Sequence, residues 1–208
     1  KNASLTIPPY AHLVGEGPDK TIIKNSASAP ALVTEDDEGQ VYGNIGDSDA
    51  TAPTQIQISN MTIRTTVAYG GLSIDNATKV FVNNVKFQGT FVSGGTDAST
   101  SKGVSVRSTT ALPCAYIVFD QCQFTGFARL VDMSYDVTNV RFTNCDFSTA
   151  YYGALIGAEM DGSTNGLTKG PRDIQFSGSS WSTIGQQAIW VKPAAGADAG
   201  TGARNVIS

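Results

Sequence analysis

The chain has 208 residues, of which 40% are hydrophobic, 15% charged and 9% aromatic, and Gly, Ser, Thr and Asn together account for 74 of them. This hydrophobic content excludes wholesale disorder, and no apolar run is long enough for a membrane-spanning helix. A formal net charge of −4 without any long Lys/Arg cluster argues against a nucleic-acid partner. The abundance of β-branched and turn residues over helix formers predicts an all-β protein.

The N-terminal stretch contains three short apolar runs separated by Pro-Pro and Gly-Glu-Gly. Strands are therefore predicted at Leu5–Ile7, His12–Val14 and Thr21–Ile23. The segment from Glu35 to Pro53 is acidic and Gly-rich, and we interpret it as a loop. We expect one domain over residues 1–208, with an N-terminal coil and acidic loop at 1–54 and repeated coils at 55–208. Since no signal sequence or initiator Met begins it, we also expect a segment of a longer chain.

An eight-residue pattern occurs five times in the rest of the chain, with apolar residues at positions 1, 3 and 8, a small or apolar residue at position 6, and most often Asn at position 5. The five octads are Ile56–Ile63, Val80–Phe87, Ile117–Phe124, Val140–Phe147 and Ile174–Trp181, and a sixth would begin at Val206. Positions 1 and 3 share one face of a strand by period-two alternation. Asn and Gly tolerate the left-handed conformation, so position 5 is predicted to be a sharp corner.

A second apolar stretch follows each octad. These stretches are Leu72–Ile74, Val104–Val106, Leu130–Met133, Ala154–Ile156 and Ile189–Val191. Each repeat thus carries about three short strands, and a chain that bends alike at every corner and returns after roughly 23 residues stacks its coils at the ~4.8 Å strand spacing. The predicted fold is a single-stranded parallel β-helix, a solenoid with loop insertions.

The register of the octads predicts which side chains stack inside the coils. Position 8 aligns Phe87, Phe124, Phe147 and Trp181, with Ile63 before them. Position 6 aligns Cys122 with Cys145, which we interpret as buried thiols acting as small hydrophobes, the alternatives being a disulfide or a reactive site.

The longer intervals between octads indicate loop insertions rich in turn residues. They lie at Val92–Lys102, Met160–Gly170 and Pro193–Gly202, and we expect each to project from the coils.

The opening SLTIPPYAHLVGEGPDKTIIKN resembles the first coil of pectate-lyase-like right-handed β-helices. Combined with the Asn-cornered octads and the Gly/Ser/Thr loops, the chain looks most like β-helical domains of tail-fibre and tailspike proteins of tailed bacteriophages, cyanophages in particular. This resemblance implies a right-handed solenoid in a virion, with other virion subunits as partners, a homotrimeric state and a host polysaccharide as ligand. From the charge and the short apolar runs we expect no nucleic-acid partner and no membrane insertion.

Catalytic signatures of this fold are missing from the sequence. The resemblance implies an Arg base with calcium-binding acids in lyases, or clustered Asp with His in hydrolases, and neither pattern occurs. Two carboxylates about 5 to 9 Å apart could still hydrolyse a glycoside. Asp132, Asp136 and Glu159 are the candidates, with Arg129 or Arg141 as possible neighbours of the first two. No cofactor and no metal site is predicted.

Candidate binding residues lie on and beside the later apolar stretches. By alternation, Trp190 faces outward, as does Leu155 one coil earlier, and Tyr151 and Tyr152 precede that strand. Exposed aromatic side chains on a rigid ladder suit sugar stacking or subunit contact. Phe81 and Val118, at outward position 2 of consecutive octads, form a second apolar spot suited to a subunit contact.

The sequence therefore favours a structural module of a tailed-phage virion protein that binds a host receptor or polysaccharide. One alternative is a polysaccharide-degrading enzyme, either a capsule depolymerase or a pectate-lyase-like protein. Another is a passenger domain of a bacterial surface adhesin. The expected location is the virion, or otherwise the extracellular space.

Overall fold

The computed structural model describes residues 5–26, 29–34, 53–98, 100–108, 114–157, 170–192 and 204–208. Over these residues the protein is all-β, with sixteen strands in one sheet and no helix. The strands are β1 Leu5–Ile7, β2 His12–Val14, β3 Ile22–Asn25, β4 Leu32–Thr34, β5 Thr54–Thr65, β6 Leu72–Asp75, β7 Thr78–Gln88, β8 Lys102–Arg107, β9 Cys114–Asp120, β10 Gln123–Ser134, β11 Val137–Thr143, β12 Asp146–Ile156, β13 Arg172–Ser177, β14 Ser180–Ile184, β15 Ile189–Val191 and β16 Arg204–Ile207.

The strand pairings are parallel throughout and form three ladders. The first ladder follows the first half of the octads through β2, β5, β7, β9, β11, β13 and β16. The second follows the second half through β3, β5, β7, β10, β12 and β14. The third follows the later apolar stretches through β1, β4, β6, β8, β10, β12 and β15. This arrangement is consistent with a β-helix.

The predicted octad register is confirmed by the backbone pairing. The first residues of all six octads pair in series, including the sixth at Val206; they are Ile56, Val80, Ile117, Val140, Ile174 and Val206. Position 5 has positive φ in each of the five complete octads, at Asn60, Asn84, Gln121, Asn144 and Gly178. The amide of Asn84 donates to the side-chain oxygen of Asn60 at 2.8 Å, so the corner residues also bond between neighbouring strands.

A second series of positive-φ residues, which the sequence analysis did not predict, precedes the octads. Its members are Tyr10, Gln55, Lys79, Tyr116, Asn139, Asp173 and Asn205. Tyr10 lies two residues before β2, and each of the others is the second or third residue of its strand, directly before the first residue of an octad. The chain therefore bends on both sides of that ladder.

Two aromatic stacks fill the interior between the first and second ladders. The predicted stack is confirmed, with ring centroids 4.9 Å apart for Phe87 and Phe124, 4.8 Å for Phe124 and Phe147, and 4.1 Å for Phe147 and Trp181. A second stack comes from octad position 3, where the Phe119, Phe142 and Phe176 rings are 4.7 and 4.8 Å apart in turn. Edge contacts join the two stacks, because aromatic edges and faces carry opposite partial charges.

The three cysteines are buried and free, as the small-hydrophobe interpretation requires. Burial raises the pKa of Cys114 to about 12. Burial likewise raises the pKa of Cys122, whereas a hydrogen bond from Cys122 lowers the pKa of Cys145.

Only part of the predicted loop insertions lies within the described residues. Residues 158–169 and 193–203, which hold most of the second and third insertions, and most of the acidic segment at 35–52, lie outside the described residues. The end of the first insertion packs against the sheet instead of projecting, since Ser101 is 4% exposed and its hydroxyl accepts from the Ala128 N–H at 3.1 Å.

Substituting Phe124→Ala removes a fully buried ring from the centre of the first stack, and we expect a loss of about 3 to 5 kcal/mol in the free energy of unfolding. Phe81→Ala is the matched control, because Phe81 is 49% exposed on the outer face. Urea unfolding followed by circular dichroism measures both. Equal losses for the two variants would contradict the register.

None of the three thiols should react with Ellman's reagent at pH 8 in the folded protein, because all three sulfurs are inaccessible. Three thiols per chain should react in denaturant. Labelling of the folded protein as fast as that of the unfolded protein would show that the burial is wrong.

Candidate binding face

The outer face of the third ladder brings polar and aromatic side chains into three rows. One row contains Ser73, Ser105, Asp132, Leu155 and Trp190. A second contains Asp75, Arg107 and Ser134, and a third contains Lys102, Arg129 and Tyr152. Their inward neighbours, such as Val104 and Val131, belong to the core. Because side chains alternate along each strand, one face of this ladder packs in the core and the other carries the polar and aromatic side chains.

Asp132 lies at the centre of this face and is 1% exposed. Its two carboxylate oxygens contact different cations, Oδ1 at 3.3 Å from Lys102 Nζ and Oδ2 at 2.8 Å from Arg129 Nη1. A buried charge requires such pairing to offset desolvation. Both oxygens are thus committed to ion pairs.

Arg129 is itself fixed by a second carboxylate from the preceding insertion. Its Nε and Nη2 donate to the two oxygens of Asp97 at 2.9 and 2.6 Å, a bidentate arrangement. Burial lowers the pKa of Arg129, but the hydrogen bonds to Asp97 and Asp132 outweigh it, so that the pKa is raised overall. Arg129 is a permanent cation held rigidly between two acids.

Asp75 and Arg107 form a second buried pair two strands from Asp132. Arg107 Nε and Nη2 lie 2.5 and 3.1 Å from the two oxygens of Asp75, and the Ser73 hydroxyl lies 3.2 Å from both. Asp75 is 1% exposed, whereas 37% of the Arg107 side chain remains exposed. The pair therefore presents its cationic partner to solvent.

The predicted catalytic candidates are not brought together among the described residues. Asp132 meets Arg129 as expected, but Asp136 pairs with Arg172 rather than Arg141. Glu159 lies outside the described residues. Each described candidate carboxylate is engaged by an arginine.

The predicted binding residues form an aromatic patch that we define as Tyr151, Tyr152 and Trp190. The rings of Tyr152 and Trp190 are 4.8 Å apart and inclined at 42°, and Tyr151 meets Tyr152 edge-on at 4.7 Å. Lys192 Nζ lies 5.3 Å from the Trp190 ring centre. All three aromatic side chains are partly exposed.

Leu155 is a correction to the predicted site. It faces outward, since both its strand neighbours belong to the core, but it is only 1% exposed. Asp132 and Trp190 flank it in register on the neighbouring strands. Leu155 therefore lies beside Trp190 as a covered apolar residue and is not accessible to a ligand.

Asp75, Lys102 and Arg107 belong to this face but were not among the residues predicted from the sequence. A signal for them existed: aligning the second apolar stretches places Asp75 beside Arg107, and Ser73 and Ser105 below Asp132. Asp97 carries no comparable signal, because it lies in an insertion whose path the repeat does not define.

Within the described part of the chain, no group of three or more His, Cys, Asp or Glu side chains could hold a metal ion. A search of the same residues finds no helix of the length and apolarity that a membrane crossing needs. Comparisons with known protein families, characterised proteins and solved structures give no match to this chain.

Removing the buried carboxylate of Asp132 should destabilise the protein more than removing the partly exposed carboxylate of Asp136. Asp132→Ala removes the 1% exposed carboxylate that contacts both Lys102 and Arg129, whose side chains are only 15% and 12% exposed. Since Asp97 still holds Arg129, we expect a loss of about 1.5 to 3 kcal/mol. Asp136→Ala breaks a pair with 36% and 28% exposure, and its loss should stay below about 1 kcal/mol. Chemical denaturation of both variants measures the difference, and a larger loss for Asp136→Ala would overturn this ranking.

Proposed function

We propose that the chain is a right-handed, single-stranded parallel β-helix that serves as a structural module of a tail-fibre or tailspike-like protein in a tailed-phage virion, and that it binds a host surface polysaccharide. The resemblance of its N-terminal stretch and octads supports the family. The three parallel ladders, whose equivalent residues recur in series along the chain, support the solenoid. Such a rod is stiff, because each coil is packed against its neighbours.

The aromatic patch is the observation that carries the binding function. Tyr152 and Trp190 are partly exposed and lie next to each other, and Trp190 is the register partner of the buried Leu155. Sugar rings present apolar faces that stack on such aromatic surfaces, and the hydroxyls around each ring need hydrogen-bonding groups nearby. Arg129 is the register partner of Tyr152, and its ion partner Asp97, whose side chain is 30% exposed, provides a fixed polar group near the patch.

Contacts with other virion subunits, in a homotrimer or with different chains, fit the outer face of the first ladder. Phe81 is 49% and Tyr116 59% exposed on neighbouring strands of the first ladder, and Phe81 pairs in register with Val118. Neighbouring exposed apolar side chains are typical of association surfaces. This surface is separate from the aromatic patch, so a subunit could dock there and leave the patch accessible.

An array of purified bacterial capsular and O-antigen polysaccharides tests the proposed binding. We expect at least one to bind, and we expect Tyr152→Ala and Trp190→Ala each to weaken it about two- to tenfold, since a stacking contact contributes about 0.5 to 1.5 kcal/mol. Phe81→Ala, which removes an exposed ring elsewhere, is the matched control. Absence of binding across the array, or equal binding by all variants, would contradict the proposal.

The same polysaccharides distinguish binding from degradation. Incubation followed by measurement of new reducing ends and of unsaturated uronide absorbance should show no turnover. Robust turnover abolished by Asp132→Asn or Asp136→Asn would instead support the enzyme.

A further inference from the structure

The aromatic patch is flanked by a lysine that forms no ion pair in the described part of the chain. Lys192 follows Trp190 by two residues, and its Nζ lies over the Trp190 ring, 5.3 Å from the ring centre. The N–H of Lys192 donates to the Ile156 carbonyl at 2.8 Å, which anchors the residue at the end of β15. The side chain is partly exposed, so its ammonium is accessible to a ligand at the patch.

The described acids nearest the patch are paired with other cations. Both oxygens of Asp97 accept from Arg129, at 2.9 and 2.6 Å. The oxygens of Asp132 contact Lys102 and Arg129, and Asp132 is only 1% exposed. Neither acid pairs with Lys192, and the contact that the structure gives its ammonium is the one with the Trp190 ring.

An ammonium over the Trp190 ring makes the patch unequal toward neutral and acidic sugars. A sugar that stacks on the ring where the ammonium lies must displace it, and the lost contact between cation and ring counts against binding. A neutral sugar offers only hydroxyls in exchange. A sugar with an acidic group offers a charge-assisted hydrogen bond, which is roughly twice as strong as a neutral one. The flexible stem of Lys192 lets the ammonium turn from the ring to such a group.

We propose that Lys192 makes the aromatic patch selective for acidic sugars, by pairing with the carboxylate or sulfate of the sugar ring that stacks on Trp190. This inference rests on the saccharide binding proposed above and names the class of sugar that the patch takes. Carboxylates and sulfates are treated alike, because an ammonium is a compact charge without the planar geometry of a guanidinium.

Nuclear magnetic resonance of the isotope-labelled chain tests this selectivity at the patch itself. The chain has two tryptophans, and Trp181 is stacked on Phe147, so the indole N–H signal of Trp190 can be assigned with Trp190→Phe. Galacturonic acid, galactose 6-sulfate and galactose should each shift that signal saturably. We expect the two acidic sugars to bind about two- to fivefold more tightly than galactose, as for an exposed ion pair.

Salt provides a second measurement with the same sugars. Raising the ionic strength from about 0.05 M to about 0.5 M should reduce the preference for the acidic sugars, because exposed charges are screened. Galactose binding should not change, because galactose carries no charge.

Two variants of Lys192 and a matched control accompany these titrations. Lys192→Met removes the charge and keeps an unbranched stem, so it should abolish the preference, and galactose should bind it at least as tightly as it binds the unmodified chain. Lys192→Arg keeps the charge and should retain the preference. Lys24→Met removes an exposed lysine from β3 and should leave the binding of all three sugars unchanged. An unshifted Trp181 indole signal shows that each variant is folded.

The outcomes separate this inference from the proposed function. Equal binding of galactose and the acidic sugars, or a preference that Lys192→Met retains, would overturn the selectivity and leave polysaccharide binding at the patch intact. Absence of a saturable Trp190 shift with all three sugars would overturn it as well, and the polysaccharide array then decides the proposed function independently. A preference that Lys192→Met abolishes and Lys192→Arg keeps would support the inference, even if no polysaccharide of the array binds.

Discussion

The structure depends on one constraint, that equivalent residues of successive repeats lie in register on neighbouring parallel strands. At a spacing of about 4.8 Å, flat aromatic rings stack face to face, and the centroid distances in the two Phe stacks range from 4.1 to 4.9 Å. Residues of different size would leave voids, because interiors are packed like crystals. The repeat of residue type in the sequence is thus a direct consequence of the repeat in space.

The same in-register pairing determines which charged and polar side chains are neighbours on the outer face of the third ladder. In-register neighbours with like charges would repel each other unless an opposite charge lies between them. Asp75 lies beside Arg107, and the register partners Lys102 and Arg129 both contact the carboxylate of Asp132. Asp75 is buried, whereas 37% of the Arg107 side chain remains exposed, in a protein whose net charge is −4. The net charge therefore does not predict the charge that this face presents, because that depends on which partner of each ion pair is buried.

Much of the fold could be predicted, and the limits of prediction are visible in the corners. Asn and Gly at octad position 5 favour positive φ by themselves, so that corner was predictable. The second corner series includes Lys79 and Tyr116, whose side chains disfavour positive φ, and only the stacked neighbours keep them there. The conformational preference of Asn and Gly therefore predicts the corner at octad position 5. The positive φ of Lys79 and Tyr116 is instead imposed by the tertiary structure.

The sequence by itself determined the all-β class, the octad register, the Phe stack, the buried thiols and the outward direction of Trp190, since all of these follow from short-range periodicity. The tertiary structure alone decided that Asp97 reaches Arg129 and that Leu155 is covered. Those contacts join residues up to 32 positions apart through insertions of irregular length. Periodicity orders the residues within a ladder, but it does not determine where an insertion folds back or which side of an ion pair becomes buried.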